Sequence, residues 1–107
     1  MASLSTHVLD TASGRPAAGV LVTLESADGS VLAEALTDDD GRIGDLAADL
    51  AAEDHVLRFD TGAWFAAQGA AAFYPEVVVT FRVVDASAHH HVPVLLSAYS
   101  YTTYRGS

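Results

Sequence analysis

The chain of 107 residues contains no cysteine and no lysine, and it has little positive charge of any kind. Without cysteine it can form no disulfide, no thiolate metal site and no thiol nucleophile, and the redox compartment is left open. Its five positive charges are all arginines, and 14 acidic residues bring the formal net charge to −9 at pH 7. This charge argues against nucleic acid and anionic membranes as partners. An anionic substrate would therefore need arginines close to its binding site.

Long apolar runs are also missing from the sequence. No stretch approaches the roughly 20 apolar residues that span a bilayer as a helix. The first residues lack the basic and apolar regions of a signal peptide. Half of the residues are hydrophobic, which is typical of a globular protein rather than a disordered one. We expect a single domain over residues 1–107, soluble and located in the cytoplasm.

Short stretches of alternating apolar and polar residues dominate the chain, and Gly, Pro and Asp separate them at intervals of about ten residues. This pattern predicts an all-β sandwich of seven to eight strands. The dipeptide Asp28-Gly29 predicts a hairpin between strands at 19–24 and 31–37. Further strands are expected at residues 4–9, 55–59, from Pro75 onwards, and twice within 89–104.

One short helix is expected after the strand at 55–59. Thr61 would cap its N-terminus, the helix would continue to Gln68, and Gly69 would end it. Residues 45–54 are ambiguous, because their apolar residues fit a helical stripe as well as a loop with one helical turn. The aromatic residues of this half of the chain are interpreted as core and helix-packing residues: Trp64, Phe65, Phe73 and Tyr74.

Four of the five histidines fall within two predicted strands. Alternation directs His7 away from the core-facing Val8, so on the strand alone a surface residue is the simplest interpretation. In the second strand, His89 and His91 share one face and His90 lies on the other. A His-x-His pair with His7 as a third ligand is also a plausible metal site. No carboxylate or thiol pattern supports a metal, so we favour a site without one.

Four short motifs together suggest a family. The first is Ser5-Thr-His-Val-Leu-Asp10 followed by a Gly-Arg-Pro-Ala turn, and the second is Thr37-Asp-Asp-Asp-Gly-Arg-Ile43. The third is His89-His-His-Val-Pro93, and the fourth is Tyr104-Arg-Gly-Ser107. The combination resembles the 5-hydroxyisourate hydrolases, the transthyretin-like enzymes of purine breakdown. One departure is His90, which replaces a tyrosine of the family pattern.

The resemblance implies a transthyretin-like sandwich that assembles into a homotetramer with a channel through it. It also implies hydrolysis of 5-hydroxyisourate to 2-oxo-4-hydroxy-4-carboxy-5-ureidoimidazoline, with no metal or organic cofactor. Matching motif by motif assigns catalytic roles to His7, Arg42 and His91, and substrate contacts to Tyr104, Arg105 and Ser107.

Two other functions remain as alternatives. Transthyretin itself uses the same fold and channel to carry thyroid hormones, so a small-molecule carrier without catalysis is the second hypothesis. Carrier sequences lack the Tyr-Arg-Gly-Ser ending and the paired histidine and arginine motifs that are present here. A metal-binding sandwich is the third hypothesis, and only the histidine triplet at 89–91 favours it.

Overall fold

The computed structural model describes residues 2–107 as two β-sheets with one short helix, which confirms the predicted all-β sandwich. The helix, α1, spans Thr61–Ala67. The strands are β1 (Ala2–Asp10), β2 (Arg15–Pro16), β3 (Leu21–Ser26), β4 (Val31–Leu36), β5 (Arg42–Leu50), β6 (Asp54–Phe59), β7 (Val77–Arg82), β8 (His89–Leu96) and β9 (Tyr101–Thr103). The described residues hold nine strands where seven to eight were predicted, and the two without a predicted counterpart are the two-residue β2 and β5.

The first sheet is built around β1. On one side β1 pairs with β8 in parallel, and β9 continues the sheet beyond β8. On its other side β1 pairs in antiparallel fashion with β5 and, near its end, with β2. The parallel pairing aligns Ser3 with His89 and Ser5 with His91. Residues from the two ends of the chain therefore lie side by side on one sheet.

The second sheet has the strand order β4-β3-β6-β7, with every neighbouring pair antiparallel. The predicted hairpin at Asp28-Gly29 joins β3 to β4, and Gly29 has a φ of 90°, a conformation that glycine adopts without steric cost. The hydrophobic core lies between the two sheets. Its fully buried large side chains include Leu4, Val8, Val22, Leu24, Leu57, Phe59, Val77, Val94 and Leu96.

Residues 45–54 are the main error of the sequence prediction. Most of the segment belongs to the strand β5 and pairs with β1 instead of forming a helix or loop. The pairing contains irregularities, since Leu4 faces Ala47 while Thr6 faces Ile43. Bulges of this kind insert extra residues and break the alternation of a strand. The buried residues Leu46 and Leu50 are consequently four apart, which imitates the spacing of a helix.

The short helix forms where it was predicted, but it begins differently. Asp60 is the N-cap and its side chain makes no capping hydrogen bond, while Thr61 is already the first helical residue and is buried. Gly69 ends the helix as expected, with a φ of 72° and its N–H donating to the carbonyl of Ala66 at 3.0 Å. Within residues 2–107, no helix combines the length and the apolar character needed to cross a membrane.

The prediction for the aromatic residues is half right. Phe65 is buried and packs edge-on against Trp64, whose indole N–H donates to the carbonyl of Ala18 at 2.8 Å. Phe73, in contrast, is 69% exposed and contacts the edge of Tyr74 at the surface. It lies in the irregular segment between α1 and β7, where no strand alternation directs a side chain into the core.

Candidate active site

The candidate site lies on the face of the first sheet that points away from the core. Along β1, Leu4 and Val8 are fully buried, whereas Ser5 and His7 belong to the opposite face. On β8, His90 is buried with its neighbours Val92 and Val94, so His89 and His91 lie on the opposite face as predicted. The parallel register places the two polar rows next to each other.

These rows form a chain of hydrogen bonds between β1 and β8. The Oγ atom of Ser3 lies 2.5 Å from Nδ1 of His89. The Oγ atom of Ser5 lies 2.8 Å from Nε2 of His89 and 2.7 Å from Nδ1 of His91. Ser5 therefore links two imidazole rings. It lies 84 residues before His89 and 86 residues before His91 in the sequence.

A tight turn places Arg42 beside His7, its pairing partner across β1 and β5. The side chain of Asp38 accepts hydrogen bonds from the backbone N–H groups of Asp40 and Arg42, both at 2.9 Å. Gly41 completes the turn with a φ of 73°, and a Cβ atom there would lie 2.3 Å from the carbonyl oxygen of Val8. Within residues 2–107 the guanidinium of Arg42 forms no ion pair, so it is available to a ligand.

The last residues of the sequence fold back over His91. The N–H of Gly106 donates to the carbonyl of His91 at 2.9 Å, which forms an isolated antiparallel bridge. A Cβ atom on Gly106 would lie only 2.4 Å from Cδ2 of the His91 ring. Only glycine leaves room for this contact, and the contact brings Ser107 to the same cavity as His91.

The cavity has a volume of about 280 Å³ and is broadly open to solvent. It is lined by Ser5, Thr6, Arg42, Gly44, His89, His91 and Ser107. No Asp or Glu side chain of residues 2–107 is part of this lining. In a chain of net charge −9, the cavity is thus a local site where positive and hydrogen-bonding groups face solvent.

The electrostatic environment keeps His91 neutral. Its pKa is lowered from the ordinary value of 6.5, mainly because partial burial disfavours the imidazolium. The positive charge of Arg42 and the neighbouring rings of His7 and His89 lower the pKa further, while a hydrogen bond with the Ser5 backbone opposes the shift. A neutral imidazole at physiological pH can accept a proton from water.

The structure brings together three of the six predicted site residues in this cavity: Arg42, His91 and Ser107. His7 lies beside it, paired with Arg42. Tyr104 and Arg105 line a neighbouring cavity of about 300 Å³, to which His91 also contributes. The roles assigned to all six residues stay predictions.

The sequence named His89 only as a possible metal ligand, and it did not single out Ser5 or Gly106 as site residues. Strand alternation could have found Ser5 and His89, since they share faces with His7 and His91. The alternative of a metal site receives no support, because no three His, Asp or Glu side chains within residues 2–107 cluster closely enough to hold an ion.

The comparison with known families agrees with this geometry. A model of the HIUase/Transthyretin family matches residues 4–106. The chain belongs to this family. The resemblance noted from the four motifs is therefore confirmed over almost the whole sequence.

Individual relatives in this family include 5-hydroxyisourate hydrolases and a transthyretin. The 5-hydroxyisourate hydrolase of Caulobacter vibrioides is 46% identical over 115 residues, with both chains covered completely. The structure of the Klebsiella pneumoniae 5-hydroxyisourate hydrolase superimposes with a TM-score of 0.93 at 40% identity, again over 100% of both chains. Transthyretin from Sparus aurata gives a TM-score of 0.88 at 31% identity, over 96% of this chain and 95% of the other.

Proposed function

We propose that this chain is a hydrolase that opens the six-membered ring of 5-hydroxyisourate to give 2-oxo-4-hydroxy-4-carboxy-5-ureidoimidazoline, a step of urate degradation. The observation that carries the proposal is the cavity in which His91, Arg42 and Ser107 meet. Hydrolases of this family are more similar in sequence to the chain than the transthyretin carrier is, at 46% and 40% against 31% identity.

His91 and His7 are the proposed catalytic bases. In ring opening, the oxygen of a water molecule bonds to a ring carbonyl carbon, the carbon–nitrogen bond breaks, and the nitrogen takes up a proton. An imidazole near neutral pKa accelerates this reaction by accepting the proton of the attacking water. His91 fits this role because its pKa is lowered and its Nε2 forms no hydrogen bond within residues 2–107.

Arg42 is proposed to stabilise the negative charge that develops on the carbonyl oxygen when water adds to the carbonyl carbon. Its guanidinium stays charged and presents a planar set of donors, which suits the oxygens and nitrogens of a purine-like ring. Because no acidic side chain lines the cavity, its charge is not neutralised by a partner there. Ser107 is proposed to contact the substrate in the same cavity, and Tyr104 and Arg105 to form an adjacent wall. The reaction uses water and side chains only, with neither metal nor organic cofactor.

We further propose that the chain works as a homotetramer in the cytoplasm. The cavity is open on the side away from the sheet, so a second subunit facing it would complete the walls. A contiguous group of aromatic side chains also remains exposed, since Tyr74 contacts both Phe73 and Tyr101 and the exposed fractions of Phe73, Tyr74 and Tyr101 are 69%, 39% and 38%. Exposed apolar groups of this kind are typical of interaction surfaces.

The carrier remains the second hypothesis because transthyretins share the fold at high similarity. Ultraviolet absorbance separates the two hypotheses. Freshly generated 5-hydroxyisourate is followed with and without the purified protein, and we expect its decay to accelerate with the wild-type chain. Arg42→Ala and His91→Ala should lose most of this acceleration. Decay at the uncatalysed rate with folded wild-type protein would reject the hydrolase and favour the carrier.

A further inference from the structure

The role of the serine and histidine next to the proposed base is not explained by the reaction described above. Ser5 is 8% exposed, and within residues 2–107 its side-chain hydrogen bonds are those with the rings of His89 and His91. A hydroxyl has one proton and two lone pairs, and no third acceptor for this proton lies within residues 2–107, so a Ser5 that uses its proton donates to one of these rings and accepts from the other. The state of one ring therefore determines the state of the other.

Two arrangements of the protons along the chain from Ser3 to His91 make use of the Ser5 hydroxyl proton. In the first, Ser5 donates to Nδ1 of His91, and the neutral His91 then carries its proton on Nε2. In the second, Nδ1–H of His91 donates to Ser5, Ser5 donates to Nε2 of His89, and Nδ1–H of His89 donates to Ser3. Both satisfy all three contacts. Of these two, only the second leaves Nε2 of His91 with a free lone pair.

The position of Nε2 shows why this difference matters. No hydrogen bond to this atom forms within residues 2–107, and no buried side-chain nitrogen there lacks a hydrogen-bond partner. Nε2 is consequently accessible, on a residue that lines the cavity. The lowered pKa of His91 means that the ring is neutral at physiological pH, so its reactivity depends on which nitrogen carries the proton.

We propose that Ser5 and His89 are positioning residues that hold His91 as the Nδ1–H tautomer, with Nε2 free to accept a proton from the attacking water. His89 supplies the acceptor that orients the Ser5 hydroxyl, and Ser3 stabilises the matching tautomer of His89. This assignment rests on the proposed hydrolase function. The same principle operates in catalytic histidines whose second nitrogen is fixed by a neighbouring acceptor.

Substitutions distinguish an effect on the His91 tautomer from an effect on folding. We expect Ser5→Ala and His89→Ala each to lower kcat by at least about tenfold with little change in KM, since the substrate contacts remain. His89→Gln should restore most of kcat, because its amide oxygen can accept the Ser5 hydroxyl in place of Nε2. The double variant should be no slower than Ser5→Ala alone, since the two residues act through one pathway. Ser97→Ala is the matched control and should keep wild-type kcat, because within residues 2–107 the Ser97 side chain bonds only to Ser100 of its own turn.

Nitrogen-15 NMR of labelled protein without substrate reads the tautomer directly, and it does not depend on activity. We expect the wild-type spectrum to show His91 protonated on Nδ1, and Ser5→Ala to shift it towards the Nε2–H form. A wild-type His91 protonated on Nε2 would overturn the proposal, as would wild-type kcat in both alanine variants or additive losses in the double variant. Lack of hydrolysis by the wild-type chain is a separate result, which would reject the proposed function while the NMR spectrum still tests the tautomer.

Discussion

Gly106→Ala is the sharpest test of how the tail positions the base. The added Cβ atom would lie 2.4 Å from Cδ2 and 3.1 Å from Cγ of His91. Carbon atoms in contact are normally about 3.5 Å apart, so the ring or the tail must move by about 1 Å. The φ of Gly106 is not in the left-handed region, so alanine introduces a steric clash without backbone strain.

The expected losses of activity and stability in Gly106→Ala depend on whether the His91 ring or the tail moves. Displacing a catalytic group by about 1 Å can cost about 100-fold in rate. If the tail moves instead, the bridge from the Gly106 N–H to the His91 carbonyl is lost, and one such hydrogen bond contributes about 1 kcal/mol. We therefore expect kcat/KM to fall by about 100-fold, while the thermal midpoint falls by only about 4–8 °C.

Gly62→Ala is the matched control for this variant. Its Cβ atom would lie 2.5 Å from the carbonyl oxygen of Pro75, a clash of similar severity on α1, outside the cavity lining. Overpacking of this kind costs about 1–3 kcal/mol, so the thermal midpoint should fall by about 5 °C or more with kcat/KM of the folded protein preserved. Both variants are assayed by ultraviolet decay of 5-hydroxyisourate and by thermal melting. Wild-type kcat/KM in Gly106→Ala would refute the reasoning.

Three further predictions concern catalysis, pH and assembly. His7→Ala should lose most hydrolytic activity in the ultraviolet assay while light scattering shows an unchanged mass; wild-type turnover would remove His7 from the site. Proton NMR should give His91 a pKa below 6.5, and Arg42→Gln should raise it by removing a nearby positive charge; no change would contradict the assigned cause. Because the unfolded chain binds more protons just below pH 6.5, this group should make stability fall as the pH drops through that window. Light scattering of the wild-type protein should give about four times the chain mass of 11.1 kDa, and a monomer at micromolar concentration would contradict the tetramer.

Local pattern predicted most of the fold. Alternation of apolar and polar residues identified the strands and the faces of His89 and His91, because neighbouring side chains of a strand point to opposite sides. The Asp28-Gly29 dipeptide likewise predicted a hairpin turn, and the structure has Gly29 in the left-handed conformation that this turn requires. The prediction failed at 45–54, where bulges opposite β1 removed the alternation on which it relied.

The candidate site was predicted only in part. The motifs selected His7, Arg42 and His91, and the structure places them around one region of the first sheet. They did not show that Ser5 bridges His89 and His91, because this contact joins segments more than 80 residues apart. Nor did the motifs show why position 106 must be glycine. A side chain there would clash with the His91 ring, and no turn signal in the sequence indicates this contact.

The sequence by itself determined the class of fold, the faces of the strands and the residue types available for catalysis, since these depend on neighbours along the chain. Tertiary structure decided which faces meet. The parallel register of β1 and β8 aligns Ser5 with His91. A shift of one residue would move the partners by about 3.3 Å and turn the side chains to opposite faces. That register is set by the packing of the whole core, and therefore no local pattern contains it.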